Sequence, residues 1–409
     1  MKFNDLNLSD PITRSLKDQG YEKPTPIQTE VIPAILNKSD VMAAAQTGTG
    51  KTAAFVLPIL SMLSNPKNNY KGHQLRALIL TPTRELAAQV RESVNTYSKY
   101  LSIRSTAVYG GARIHNQRLK LRKGVDVLVA TPGRLLDLYN QKAVNFKNIE
   151  LFVLDEADQM LDMGFIHDIK KIANLLPDRR QNLMFTATFS NPFRKLAKEM
   201  ADKAIEISVT TDGEAGENIE HYCHPVDKSR KAELLIELIE TQNWDQALVF
   251  TRTKHGADRL QKQLEKVEIS AKAIHGNKTQ NNRMKALDAF KNYRVKILVA
   301  TDVAARGIDI KKMSQVINFD VPTVAKDYIH RIGRTGRGGD KGKAITLVSA
   351  DEFRLLSDIE KLLGQKLERV EIEGFEPEHV VPAKEKQKPK NKKFHNRGGF
   401  KNRRRSRKG

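Results

Sequence analysis

Residues 77–81 read ALILT, and 170 positions later residues 247–251 read ALVFT. Both are short apolar runs rich in branched side chains, and both end on Thr. A run of this length, bounded by turn residues, is the pattern of a strand buried on both faces. A second pair keeps the same offset: residues 127–131 read VLVAT and residues 297–301 read ILVAT. Thr81 and Thr131 are 50 positions apart, as are Thr251 and Thr301. Matched runs with matched spacing predict two domains of one architecture. Around them, VMAAA, LFVLDE and QNLMFTAT in the first half, and ISAKAIHG, SQVINFDV and GKAITLVSA in the second, alternate with longer amphipathic stretches. That alternation is the signature of βαβ units on a mostly parallel sheet with helices on both faces. Residues 210–218, TTDGEAGEN, are polar and free of large apolar side chains, which predicts the linker. The expected division is 1–209, linker 210–218, 219–375, and a tail from 376 to 409.

The chain has 409 residues, enough for two or three cored domains. The opening MKFNDLNLSD lacks the apolar core of a secretory signal, and no run approaches the roughly 18 apolar residues of a membrane span. Cys223 stands alone, which excludes an intramolecular disulfide framework or a thiolate metal cluster; a cytoplasmic setting is expected. The net charge is +22, and residues 383–409 hold thirteen Lys or Arg against one Glu. That tail therefore carries +12, leaving +10 on the other 382 residues. It has too little apolar surface to fold and reads as disordered. Phe394, His395 and Phe400 interleave with the charge, a mixture that suits a polyanion with stackable bases, a nucleic acid, over a membrane surface.

Residues 45–52, AQTGTGKT, follow an apolar run and precede a helical pattern. Strand, Gly-containing loop and Lys-Thr opening a helix form a P-loop, in which backbone N–H groups face phosphate oxygens. Thr47, Gly48, Thr49 and Gly50 would cradle ATP, Lys51 would reach its β and γ phosphates, and the Thr52 hydroxyl would ligate Mg²⁺. Ala45 stands where the usual pattern begins with Gly. Asp155 ends a later apolar run, placed as the Mg²⁺-organising carboxylate of such a site. Glu156 follows, placed to orient or deprotonate the attacking water. Gln28 offers a carbonyl and an amide to an adenine edge.

Residues 155–158 spell DEAD, and the chain resembles a DEAD-box RNA helicase of superfamily 2, most like the compact bacterial RhlE-like group. The resemblance covers residues 1 to about 375 and rests on an ordered set of motifs. Phe3 and GYEKPTPIQ (20–28) resemble the adenine-reading Q motif; AQTGTGKT is motif I. PTREL (82–86), Gly110-Gly111 and TPGR (131–134) resemble RNA-contacting motifs, and TAT (186–188) stands where Ser-Ala-Thr is usual. LVFTRTK, ATDVAARGID (300–309) and HRIGRTGR (330–337) resemble motifs IV, V and VI.

The resemblance implies two tandem RecA-like domains that share one ATP. Phe3 would stack on the base and Tyr21 shape its pocket. Asp309 would contact the ribose, and Arg334 and Arg337 would face the phosphates as an arginine finger. Arg84, Gly111, Thr131 and Arg134, with Arg252, Gly276 and Thr301, would hold RNA backbone without reading bases. Asp158, Thr186, Thr188 and His330 would relay the nucleotide state between domains. Ribosome-assembly or RNA-decay complexes are the partners implied. The activity implied is RNA-stimulated ATP hydrolysis with local duplex unwinding. An annealing chaperone or ATP-gated RNA clamp is the alternative, and a DNA-translocating helicase shares the two-domain plan.

Overall fold

The computed structural model describes residues 1–45, 48–64, 73–209, 219–305, 313–336 and 342–378. The linker 210–218, nearly all of the tail, Thr47, Asp309 and Arg337 lie outside the described residues.

Among the described residues, fourteen strands form two seven-stranded sheets. The first holds β1 (Val41–Ala44), β2 (Ala77–Leu80), β3 (Ser105–Val108), β4 (Val127–Ala130), β5 (Leu151–Leu154), β6 (Gln181–Thr186) and β7 (Ile205–Ser208). The second holds β8 (Ile219–Pro225), β9 (Ala247–Phe250), β10 (Ala271–Ile274), β11 (Ile297–Ala300), β12 (Gln315–Asn318), β13 (Gly342–Val348) and β14 (Glu368–Arg369). Strand order is β3-β4-β2-β5-β6-β1-β7 in the first and β10-β11-β9-β12-β13-β8-β14 in the second. Adding seven to each strand number turns one order into the other, so the duplication extends to the whole topology. Among the described residues every ladder is parallel.

The central strands show why the apolar runs are continuous. All four residues of β2, β4, β5, β9 and β11 are buried. Alternate side chains along β2 enter separate cores: Ala77 and Ile79 join one with Phe55 and Val90, while Leu78 and Leu80 join another with Leu135 and Phe193. Helices cover both faces, so neither face can be polar. Each such aliphatic side chain contributes about 1.5–3 kcal/mol of burial. Among the described residues, no helix is long and apolar enough to cross a membrane.

The duplication also holds at single hydrogen bonds. Thr81 Oγ1 donates to Thr83 O at 3.2 Å and Thr251 Oγ1 to Thr253 O at 3.3 Å. Thr83 caps the helix Arg84–Tyr97 by accepting from Leu86 N, and Thr253 caps Lys254–Lys266 by accepting from Gly256 N. In a parallel sheet all carboxyl ends lie along one edge, where ligands collect.

Candidate active site and RNA groove

Along that edge of the first sheet, the candidate residues separate into two halves. The loops after β1, β5 and β6 carry the nucleotide candidates; those after β2, β3 and β4 carry the RNA candidates.

The nucleotide half is built around the helix Lys51–Leu63. Gly50 precedes it at φ +92°, a left-handed conformation that favours glycine. A Cβ there would fall 2.4 Å from Gln28 Nε2. Gln28 Nε2 donates to Gly50 O at 3.1 Å, while its Oε1 accepts from Thr25 N at 3.0 Å. The amide thus ties the start of the helix Pro26–Leu36 to the P-loop, which sequence reasoning did not anticipate. Phe3 is 6% exposed, its ring packed in the core beside Leu6 and Ile12, whereas Tyr21 is 41% exposed with its ring 6.4 Å from that of Tyr97. Lys51 Nζ donates to Ala45 O at 2.6 Å and to Thr186 O at 3.4 Å, tying the P-loop to the end of β6. Thr52 is the second residue of the same helix.

Asp155 and Glu156 directly follow β5. Both are buried, and Glu156 adopts φ 53°, ψ 50°, left-handed for a non-glycine residue. Such strain collects at functional sites. Burial raises the Asp155 pKa to about 7, aided by repulsion from Glu156 and opposed by Lys51. Two adjacent buried carboxylates ask for a cation. The donors on hand, the Asp155 carboxylate and the Thr52 hydroxyl, are hard oxygens that suit Mg²⁺. Among the described residues no cluster of three His, Cys, Asp or Glu could hold a metal, so phosphate oxygens would have to complete its shell.

The raised pKa gives a pH test. The folded chain keeps a proton that the unfolded chain releases near pH 4, so folding is penalised as pH rises from there to about 7. The penalty is complete above pH 7 and absent below pH 4. Asp155→Asn, melted without nucleotide or Mg²⁺, should exceed the parent's Tm by several degrees at pH 8 and match it near pH 4. An equal offset at both values would contradict the buried-charge account.

Asp158 does not bond the two threonines of TAT directly. Its Oδ2 accepts from Ala187 N at 2.9 Å, between them, and its Oδ1 from Gln159 N at 2.9 Å. Thr186 Oγ1 donates to Thr188 O at 2.9 Å, closing the turn. Asp158, Lys51 and TAT therefore form one bonded group.

In the RNA half, Arg84 lies under the glycine pair: a Cβ on Gly111, which has φ +76°, would meet Arg84 Nη1 at 1.9 Å. Arg134 Nη1 donates to Ala112 O at 3.1 Å. Thr131 heads the helix Pro132–Asn140 without a side-chain cap and is 8% exposed. Arg84 and Arg134 thus converge on the loop Gly110–Ala112, with Thr131 at the end of the neighbouring strand β4. In the second sheet Arg252, Gly276 and Thr301 follow β9, β10 and β11, the corresponding strands. Arg252 Nη2 bonds Glu352 Oε1 at 2.6 Å and Val321 O at 3.1 Å. Glu352 also pairs with buried Lys231, whose pKa burial lowers against the pull of Glu352. Neither Lys231 nor Glu352 carries a sequence signal for this.

HRIGRTGR splits into different roles. Arg331 is buried and locked: it pairs bidentately with Asp302 at 2.5 and 2.8 Å, donates to Asn318 Oδ1 and Asp320 O, and lies over the Phe250 ring. Arg334 is 5% exposed and lines a small cleft with Asp302, Asp327 and exposed His330.

The two domains touch through a buried polar bridge that the sequence did not reveal. Glu85, 2% exposed, accepts from Gln280 Nε2 at 2.9 Å and pairs with Arg283 at 3.0 Å. Gln280 and Arg283 lie on the first turn of the helix Gln280–Lys291, 195 residues away for Gln280.

The family models for DEAD/DEAH box helicase and for the helicase conserved C-terminal domain match residues 25–208 and 230–339. The DEAD-box ATP-dependent RNA helicase RhpA of Helicobacter pylori is 40% identical over 379 residues, 93% of this chain and 76% of that one. The chain is a member of the DEAD-box RNA helicases. Among solved structures, S. cerevisiae Dbp5 bound to RNA and ADP BeF3 superposes at TM-score 0.80 with 34% identity, over 90% of the helicase and 95% of that chain. A Dbp5 variant bound to Nup159, Gle1, IP6 and ADP reaches 0.63, with 31% identity over 90% and 96%. As a DEAD-box protein the helicase is ATP-dependent and acts on RNA.

Proposed function

We propose that one ATP, shared between the domains, closes the helicase around a single RNA strand, and that closure displaces the other strand of a short duplex. The observation that carries this reading is the bridge from Glu85 to Gln280 and Arg283, which joins the RNA sides of the two sheets. Better superposition on the RNA-bound Dbp5 than on the ADP-bound variant supports it. Lys51 and the P-loop residues Thr47–Thr52 would bind the phosphates, with Thr52 and Asp155 towards Mg²⁺. Bound Mg²⁺ would neutralise charge developing on the phosphates. Glu156 would orient the attacking water, Arg334 and Arg337 would face the phosphates, and Asp309 the ribose. Lys51 and Asp158 both contact the TAT turn, so the phosphate state would be felt between the domains. The RNA wall of Arg84, Gly111, Thr131 and Arg134 would continue through Arg252, Gly276 and Thr301, holding phosphates and 2′-hydroxyls. The basic tail would tether structured RNA.

The test is displacement of a labelled strand from a short RNA duplex and from its DNA counterpart, with and without ATP. The expected result is ATP-dependent release from RNA alone. Deletion of residues 383–409 should raise the RNA concentration at half-maximal rate and leave the maximal rate unchanged. Annealing without release would favour the chaperone reading, and equal release from DNA the translocase reading.

A further inference from the structure

We infer that the exposed face of the helix Ile114–Arg122 is a docking track for the duplex flanking the strand held in the groove, an inference that rests on the RNA path proposed above. Residues 113–123 hold five cations, Arg113, Arg118, Lys120, Arg122 and Lys123, plus His115, and no acid. All but Arg118, which is half-exposed, are exposed. Among the described residues none of the five makes an ion pair. Arg104 adds a sixth cation, donating to Lys123 O at 2.9 Å. Like charges at i,i+4, as in Arg118 and Arg122, weaken a helix. The helix dipole offsets this for Lys120 and Arg122 in the last turn, not for Arg113 or Arg118.

The position of the helix says what this charge can meet. It follows β3, an edge strand of the first sheet, directly after Gly110-Gly111 and Ala112, which Arg84 and Arg134 touch. Gln117 pins it to the end of β3 through both polar atoms, donating to Tyr109 O at 3.0 Å and accepting from Tyr109 N at 3.2 Å. The basic face therefore continues the groove wall down the side of the domain. Its counterpart in the second domain, Gln280–Lys291, follows β10 and spends its first turn on Glu85. In the first domain the equivalent face is open and positive. It offers charge with no Phe, Tyr or Trp, and the imidazole of His115 is its one ring. Single strands are held by stacking as well as charge, whereas duplex RNA is recognised through its backbone and shape.

The experiment compares two RNAs in stimulated ATPase: a single strand that fills the groove, and the same strand joined to a hairpin. The variant combines Arg118→Gln, Arg122→Gln and Lys123→Gln. A control removes three exposed charges elsewhere on the same domain, Lys195→Gln, Lys198→Gln and Lys203→Gln. The track variant should raise the half-saturating concentration of the hairpin RNA roughly ten-fold at 0.1 M salt and flatten its log–log salt slope by about 2–3. The single strand should shift less than about two-fold, and the control should shift neither RNA. Equal loss on both RNAs, equal loss in the control, or no loss would overturn the track. Arg134→Gln separates the two readings. If it weakens both RNAs while the track variant does nothing, the track alone is wrong; if it weakens neither, the groove falls and the track with it. Unchanged melting temperatures confirm that the variants are folded, as exposed Gln on a helix permits.

Discussion

Glu156→Gln should lower RNA-stimulated ATP turnover by about 10²–10⁴-fold while leaving ATP-dependent RNA binding in place. The carboxylate sits at the end of β5 in a left-handed conformation, 6% exposed, beside Asp155. The substitution keeps size and shape, replaces one acceptor oxygen by an NH2 donor, and removes the charge and the ability to take a proton. Loss should therefore fall on kcat, with the half-saturating RNA and ATP concentrations within a few-fold. Lys51→Ala should differ. It removes a cation that ties the P-loop to Thr186 O, so it should raise the ATP concentration needed as well as lower turnover. A Glu156→Gln enzyme that turns over at the parental rate would show that another group handles the water.

Arg334→Ala should cost about 10³-fold in kcat, the scale of a lost arginine finger. ATP binding should suffer far less, because the finger acts on charge that develops during transfer. Arg331→Ala, three positions away, should instead damage the fold. It would leave Asp302 without its bidentate partner and unsatisfy Asn318 and Asp320 O inside the second domain. Asp302 would lose the buried partner that neutralises it, so the Tm of Arg331→Ala should drop, and by more than that of Arg334→Ala. The paired measurement is decisive: turnover against melting temperature for both variants. If Arg334→Ala melts early and Arg331→Ala is merely slow, the two roles are reversed.

Much of the architecture was legible because burial on both faces leaves no polar position in a strand. ALILT and ALVFT could be read as strands, and their common offset as a repeated domain, since hydrophobic pattern and spacing are local properties. The P-loop and the DEAD carboxylates were legible for a related reason. Their chemistry is carried by neighbouring residues, so spacing alone places Lys51 beside Thr52 and Asp155 beside Glu156. Single residues within the motifs were less legible. Arg331 and Arg334 read alike in HRIGRTGR and line the same cleft, yet Arg331 is locked bidentately on Asp302. Gln28 read as a free amide, yet both its polar ends are engaged by Thr25 and Gly50.

By itself, the sequence determined the α/β class, the duplication and the family. Only the tertiary structure decided which polar groups are spent on holding the fold. It alone brought Glu85 to Gln280 and Arg283, Lys231 to Glu352 and Arg252, and Asp158 to Ala187. The physical reason is that a buried charge takes whichever partner the packing brings near, and that partner can lie anywhere in the chain. Periodicity records what a residue avoids, which is water; it carries no record of the distant group that a buried carboxylate or guanidinium must find.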